Sequence, residues 1–232
     1  MKIGILQCGH TEGVIAQRYG AFSDMFQREL DGHGFEFKTF NVVDMDFPSD
    51  VFQMDGWLIT GSKHGVYEDH AFIPPLEDFI RKAYDAAVPM VGVCFGHQII
   101  AQALGGKVEK FGDGWALGRQ IYKHIDGHEI ALNAWHQDQV VKRPPDASLV
   151  AGNEFCENAI LAYGDRAFTI QSHPEFTNET IADYARMRRG TLTYPDALID
   201  RAADETANAT EGQAAIQQIA SFFRQSRDAR VA

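Results

Sequence analysis

The sequence predicts an α/β fold: a mostly parallel central sheet with helices on both faces, and an additional small antiparallel β region. Three observations point there. Residues 2–104 alternate short apolar runs with longer amphipathic ones, the order of repeated β-α-β units whose parallel strands need cover on both faces. Residues 107–171 hold short strand-like segments separated by tight turns, as antiparallel strands do. At the junction, Val91-Gly-Val-Cys-Phe-Gly-His-Gln98 carries a cysteine between two glycines where a buried strand becomes a helix. Such a corner lifts its central side chain clear of the sheet.

The elements follow in order. Residues 2–7 form a first strand, and residues 14–30 have helical periodicity that stops at Asp31-Gly-His-Gly34. Strands are expected at 36–43 and 55–60, the latter running into the loop Gly61-Ser-Lys-His-Gly-Val-Tyr67. A helix over 73–87 leads to a strand at 89–93, the cysteine corner, and a helix over 98–104 closed by Gly105-Gly106. Further strands are expected at 107–111, 119–124, 129–135, 148–151, 159–163 and 167–171, while 189–209 carry no clear signal. A final amphipathic helix over 211–227 puts Ile216, Ile219, Phe222 and Phe223 on one stripe. Cys8, Gly61 and Cys94 all follow strand ends, and ligands of parallel sheets bind beyond the carboxyl ends. These three positions are expected to share one crevice.

Composition narrows the function. The chain has 232 residues, 45% hydrophobic and 23% charged, enough for one well-buried domain. Its net charge is −11 and its longest basic run is Arg188-Arg189, which excludes a phosphate-backbone ligand and so a nucleic-acid partner. No apolar run approaches the roughly 18 residues of a membrane span, and residues 1–7 read as a strand, not a signal peptide. The Asn-x-Thr triplets at Asn178 and Asn208 are therefore read as coincidences. Cys8, Cys94 and Cys156 are far apart and form no C-x-x-C pair. That pattern suits a reducing, cytoplasmic compartment without disulfides or zinc.

A thiol at a helix N-terminus sits among free N–H groups and a favourable dipole, which promote the thiolate. A thiol nucleophile also needs a base, and the base needs orienting. Gln171-Ser-His-Pro-Glu175 follows a strand. Pro174 biases His173 towards extended backbone, where residues i and i+2 project to one side. Glu175 is expected to hold the ring of His173, and His173 to face Cys94.

Gly92-Val-Cys-Phe-Gly-His-Gln98 together with Ser172-His-Pro-Glu175 resembles the class I, triad-type glutamine amidotransferases. Ile59-Thr-Gly-Ser-Lys-His-Gly-Val-Tyr67 resembles that family's oxyanion loop. The likeness covers residues 2–176 and is greatest to stand-alone proteins similar to the glutaminase domain of GMP synthase. It implies a flavodoxin-like fold, with residues 1–190 as the amidotransferase-like domain and 191–232 as a C-terminal helical extension packed on it. It also implies hydrolysis of glutamine to glutamate and ammonia through a γ-glutamyl thioester, with no cofactor and no metal. By the same resemblance Cys94 is the nucleophile, His173 the base and acid, and Glu175 the orienting carboxylate. The N–H groups of Phe95 and of Ser62 or Gly61 form the oxyanion hole. Gln98 and the segment Trp135, His136, Gln137 and Asp138 contact the substrate. The sequence departs from the family at Ser62-Lys63, where Gly-Pro is usual, and at Gln137, where Gly is usual.

No phosphate-binding P-loop accompanies these motifs, so an amidotransferase of this form delivers ammonia to a synthase or ligase on another chain. A γ-glutamyl peptidase, which releases an amine or peptide and acts alone, is the alternative. A non-catalytic regulatory module is a third reading. Of the remaining residues, Cys8 is expected to be packed and inert, and Cys156 structural or exposed. His10, His64 and His70 read as loop residues at the rim. His124, Asp126, His128 and Glu129 flank a hairpin turn that is not expected to bring ligands together as a helix would. Phe22, Phe26, Phe35, Phe37 and Phe40 read as core.

Overall fold

The computed structural model describes the backbone of residues 1–112 and 114–231, with side chains to residue 226. A nine-stranded sheet forms its centre. Its parallel half comprises β1 (Lys2–Leu6), β2 (Glu36–Phe40), β3 (Gly56–Ile59), β4 (Met90–Val93) and β11 (Ala167–Ile170). Beyond β11 the sheet continues antiparallel through β10 (Ile160–Tyr163), β9 (Ser148–Gly152), β6 (Ala116–His124) and β7 (Glu129–His136). The separate antiparallel piece is the pair β5 (Lys107–Lys110) and β8 (Asp138–Lys142). The strand-rich second half therefore mostly extends the main sheet.

Ile3, Ile5, Leu6, Trp57, Leu58, Ile59, Val91 and Val93 are fully buried, as strands covered on both faces must be. Gly4 lies under the Trp57 ring, where a Cβ would come within 2.2 Å of it. Helices α3 (Ile73–Asp85) and α4 (Phe95–Ala103) pack against each other and α4 against β4. The C-terminal helix α7 (Gly212–Val231) inserts Ile216, Ile219 and Phe223 among Ile3, Leu58 and Phe168. Each such burial stabilises by about 1.5–3 kcal/mol.

The helix expected over 14–30 is two helices, α1 (Gly13–Tyr19) and α2 (Phe22–Glu29). The chain breaks at Gly20, whose φ of 78° an L side chain avoids. The Asp24 carboxylate then accepts the Ala21 amide at 2.8 Å and starts α2 afresh. The strand expected over 36–43 ends at Phe40, and the corner helix begins at Phe95 rather than 98. Helix α5 (Asn178–Arg188), capped by the Thr177 hydroxyl, lies where no element was expected, and α6 (Asp196–Asp204) falls within the 191–232 extension, in the part that carries no clear signal of its own. Gly118 lets α6 approach β6, for a Cβ there would stand 2.7 Å from that of Ala202.

Since β1, β3, β4 and β11 are mutually parallel, their carboxyl ends share one edge of the sheet. Two strand reversals on each side of β9 return β7 to the same direction. The hairpin β6–β7 joins β9 only through Lys123 and His124, so its other end is free to lie against the segment after β11. The Asn133 carbonyl there accepts the His173 amide at 2.8 Å.

Candidate active site

Cys94 stands at the turn from β4 into α4 with φ 53° and ψ −106°, a conformation that costs a non-glycine residue about 1–3 kcal/mol. Its flanking glycines make the corner possible. A Cβ on Gly92 would lie 2.4 Å from the Gly96 carbonyl oxygen, and one on Gly96 would lie 2.1 Å from that of Ile59. The Cys94 amide donates to Ile170 at 2.9 Å and its carbonyl accepts from Gln98 at 3.1 Å, pinning the corner to β11 and to the helix. The Phe95 N–H opens the first turn of α4, where intrahelical acceptors are lacking.

His173 and Glu175 meet through Nδ1 and Oε1 at 2.7 Å, both buried. The backbone between them is a turn, not the expected extended run: the Phe176 amide donates back to the His173 carbonyl at 3.1 Å. Pro174 falls at the second position of that turn, which its fixed φ favours. The His173 ring stacks on Phe176 at 4.0 Å, and Phe176 on Tyr184 at 5.2 Å. Burial alone would lower the imidazole pKa. The charges of Glu175 and Cys94, with hydrogen bonding to both, outweigh it and raise His173 to about 10. The carboxylate and the Cys94 sulfur together therefore favour the protonated ring.

Gly61 completes the cluster: a Cβ there would lie 2.8 Å from Cε1 of His173 and 3.7 Å from Cβ of Cys94. Ser62 follows, its hydroxyl accepting the His64 amide at 3.2 Å. The rest of the loop is tied down at two points. Tyr67 donates to the Asp138 carboxylate at 3.0 Å, and the Gln102 amide to the Val66 carbonyl at 2.8 Å. Burial raises Asp138 above the usual carboxylate range despite that bond.

A cleft of 230 Å³ opens over Cys94, His173 and Ser62. Gln98, Trp135, His136, Gln137 and Asp138 all line it. Gln98 donates its amide to the Asp138 carbonyl and to Gln171 at 2.9 and 3.1 Å, so it braces the floor. His136 also meets the Asp138 carbonyl, at 3.2 Å, and burial holds it neutral by lowering it to about 3. Gln137 donates to the Phe111 carbonyl at 3.1 Å.

Around Trp135 the cleft lining also holds Trp115, Tyr184, Tyr194, Arg188 and Glu12, which no motif in the sequence marks. Trp135 packs on Tyr184 and Tyr194, and Trp115 on Tyr194 at 4.6 Å; Arg188 and Glu12 pair at the rim. Asn133 was missed too. Its amide donates to the Phe176 carbonyl at 2.9 Å and to Asn178 at 3.1 Å, so it holds the His173 turn from both sides. No spacing in the sequence announces these residues, because their partners are far apart in the chain: Asn178, Tyr184 and Arg188 come from α5 and Tyr194 from the segment that follows it.

Cys8 and Cys156 are both buried and free. Burial raises each thiol, Cys156 to about 12. His10 bonds Asp44 at 3.0 Å and edges the cleft. The hairpin does bring His124 and His128 together, contrary to expectation. Their rings stack at 4.4 Å and both reach Asp126, because cross-strand neighbours at a tight turn are as close as helical i and i+4. Among the described residues, His64, Glu68 and His70 form a second such group.

A thiol on a strained strand–helix corner, beside a buried imidazole–carboxylate pair, can carry acyl transfer through a thioester. The comparisons define the class further. Residues 17–186 match the family "Glutamine amidotransferase class-I". The chain is 33% identical to gamma-glutamyl peptidase 4 of Arabidopsis thaliana over 71% of this chain and 72% of that one. It is 33% identical to a GMP synthase of Aromatoleum aromaticum over 62% of this chain but 29% of that enzyme. A glutamine amidotransferase from Methylobacillus flagellatus superposes with a TM-score of 0.77 over 97% of this chain and 94% of its own, at 18% identity. The chain belongs to the class I glutamine amidotransferase family. Among the described residues no helix is long and apolar enough to cross a membrane.

Proposed function

We propose that this chain hydrolyses a γ-glutamyl amide, glutamine being the simplest, through a thioester at Cys94. The observation that carries the reading is the 2.7 Å contact of His173 with Glu175 beside the Cys94 corner. In this reading the Cys94 thiolate attacks the side-chain carbonyl while His173 holds the proton. The N–H of Phe95 and that of Ser62 or Gly61 stabilise the oxyanion, each donor being worth about 3–4 kcal/mol. The C–N bond breaks as His173 protonates the nitrogen. Water then attacks the thioester, His173 takes its proton, and the C–S bond breaks to release glutamate. Gln98 and residues 135–138 frame the amino-acid end. No cofactor enters these steps.

The leaving group divides two versions of this chemistry. An amidotransferase would pass ammonia to a synthase or ligase on a separate chain. A γ-glutamyl peptidase would release an amine or peptide unaided. The aromatic pair of Trp115 and Tyr194 and the 72% coverage of the peptidase relative favour the second. The free, well-separated cysteines support a cytoplasmic location. Purified enzyme assayed against glutamine and against γ-glutamyl amines decides the leaving group. The chemistry itself is tested by Cys94→Ala, expected to lower turnover by on the order of 10⁴-fold or more; retained turnover in that variant would overturn it.

A further inference from the structure

We infer that His64, Glu68 and His70 form a binding site for a divalent transition metal of the Zn²⁺ type, built into the loop that carries Ser62. Ligand atoms of the three residues all lie within 4.8 Å of one another. Nε2 of His70 is 2.9 Å from Oε2 of Glu68, and Nδ1 of His64 is 4.0 Å from the same oxygen. Tetrahedral zinc holds its ligand atoms roughly 3.3 Å apart, given metal–ligand bonds of about 2.0–2.2 Å. The observed spacings bracket that value, so small side-chain rotations close the site. Two imidazoles and one carboxylate suit zinc, nickel or copper and not magnesium or calcium, which want oxygen ligands throughout. Three protein ligands leave one position open to water.

The surroundings fix these ligands. The Gly65 amide donates to Oε2 of Glu68 at 2.9 Å and orients the carboxylate, as outer hydrogen bonds do for metal ligands. The two imidazole rings lie 4.1 Å apart, each 5.9 Å from the buried ring of Phe72. By contrast, His128 and Asp126 in the hairpin group are more exposed, at 56% and 59%, than His70 and Glu68, at 34% and 48%.

Position gives the site its consequence. His64 donates its amide to the Ser62 hydroxyl, and Phe72 packs on Phe95 at 5.9 Å. A metal bridging His64 and His70 would clamp the loop between the two residues whose N–H groups we assign to the oxyanion hole. Metal occupancy would then control how rigidly Ser62 is presented.

Equilibrium dialysis of Zn²⁺ against full-length Cys94→Ala protein tests the site. Removing the thiol takes away the softest competing ligand at the corner and makes the result independent of turnover. One ion per chain in the micromolar range is expected. His64→Ala, His70→Ala and the isosteric Glu68→Gln should each weaken binding about 10-fold or more, whereas a His124→Ala/His128→Ala double variant should bind as the parent does. Bound Zn²⁺ should also slow amide hydrogen exchange across residues 61–70. Failure to bind, affinity unaffected by His70→Ala and Glu68→Gln, or binding lost with the hairpin histidines would overturn the site. Binding with unchanged exchange would overturn the clamp.

Discussion

Nδ1 of His173 and Oε1 of Glu175 lie 2.7 Å apart within a single four-residue turn, each buried from solvent. Because one turn carries both groups, the carboxylate is placed by local backbone geometry and needs no distant element to deliver it. The second carboxylate oxygen has no hydrogen-bond partner among the described residues. The His173 ring is therefore this carboxylate's one hydrogen-bond partner among the described residues. Replacing Glu175 with Gln should keep the shape, lose the charge and lower kcat by about 10²–10⁴-fold, by analogy with the loss of the orienting carboxylate in triad enzymes. Steady-state kinetics on purified Glu175→Gln, with KM little changed, is the check.

The same contact gives stability a pH dependence of known sign. His173 is raised to about 10 in the folded chain from 6.5, so the folded state holds this proton more tightly than the unfolded one. Its stabilisation is complete below about pH 6.5 and is lost as pH rises towards about 10. Urea midpoints should fall over that window, and the fall should be shallower in Glu175→Gln. A midpoint that climbs through the window would contradict the assignment.

Strain at the corner predicts a trade of activity for stability. Cys94 sits at φ 53°, where glycine is at home and alanine is not. Cys94→Gly should be more stable than Cys94→Ala by about 1 kcal/mol, with both inactive. Gly96→Ala should be severely destabilised, since its Cβ would meet the Ile59 carbonyl oxygen at 2.1 Å with only backbone to move. Thermal melts of the three variants compare directly.

Asn133 is expected to matter as much as residues nearer the thiol. It spans the His173 turn, accepting the His173 amide on its carbonyl and donating to Phe176 and Asn178 from its side chain. Asn133→Ala leaves the buried Phe176 carbonyl short of a donor, a loss of about 1–3 kcal/mol. It should also lower kcat more than it raises KM, because the turn carrying the base is loosened and the cleft wall is not. A KM effect alone would show that the turn stays in place.

The parts of this site that the sequence discloses are those built from consecutive residues. Gly92, Cys94 and Gly96 report the corner because each glycine answers a clash within six residues or with the adjacent strand. His173 and Glu175 report their contact because one turn contains both. The break at Gly20 was hidden by an apolar stripe that runs unbroken through both helices, so hydrophobic period outweighed a single backbone signal. Asn133, Trp115 and Tyr194 were silent for a different reason. Their partners lie tens of residues away, and only the return of β7 and the packing of α5 and α6 bring them to the cleft.

The aromatic wall yields the prediction that separates the two leaving groups. Trp115 and Tyr194 pack at 4.6 Å, tilted to each other, in the lining of the cleft. Ammonia leaving from glutamine would have nothing to rest against there, whereas an aromatic amine would pack on both rings. Each lost apolar contact of this kind is worth about 1–3 kcal/mol in discrimination. Trp115→Ala and Tyr194→Ala should therefore raise KM for γ-glutamyl-p-nitroanilide about 10-fold while leaving KM for glutamine within about twofold. Equal losses on both substrates would mean that the wall supports the fold of the cleft rather than the leaving group, and the peptidase version would lose its structural support. A loss on the anilide alone would make the departing amine, not ammonia, the group this cleft is shaped to release.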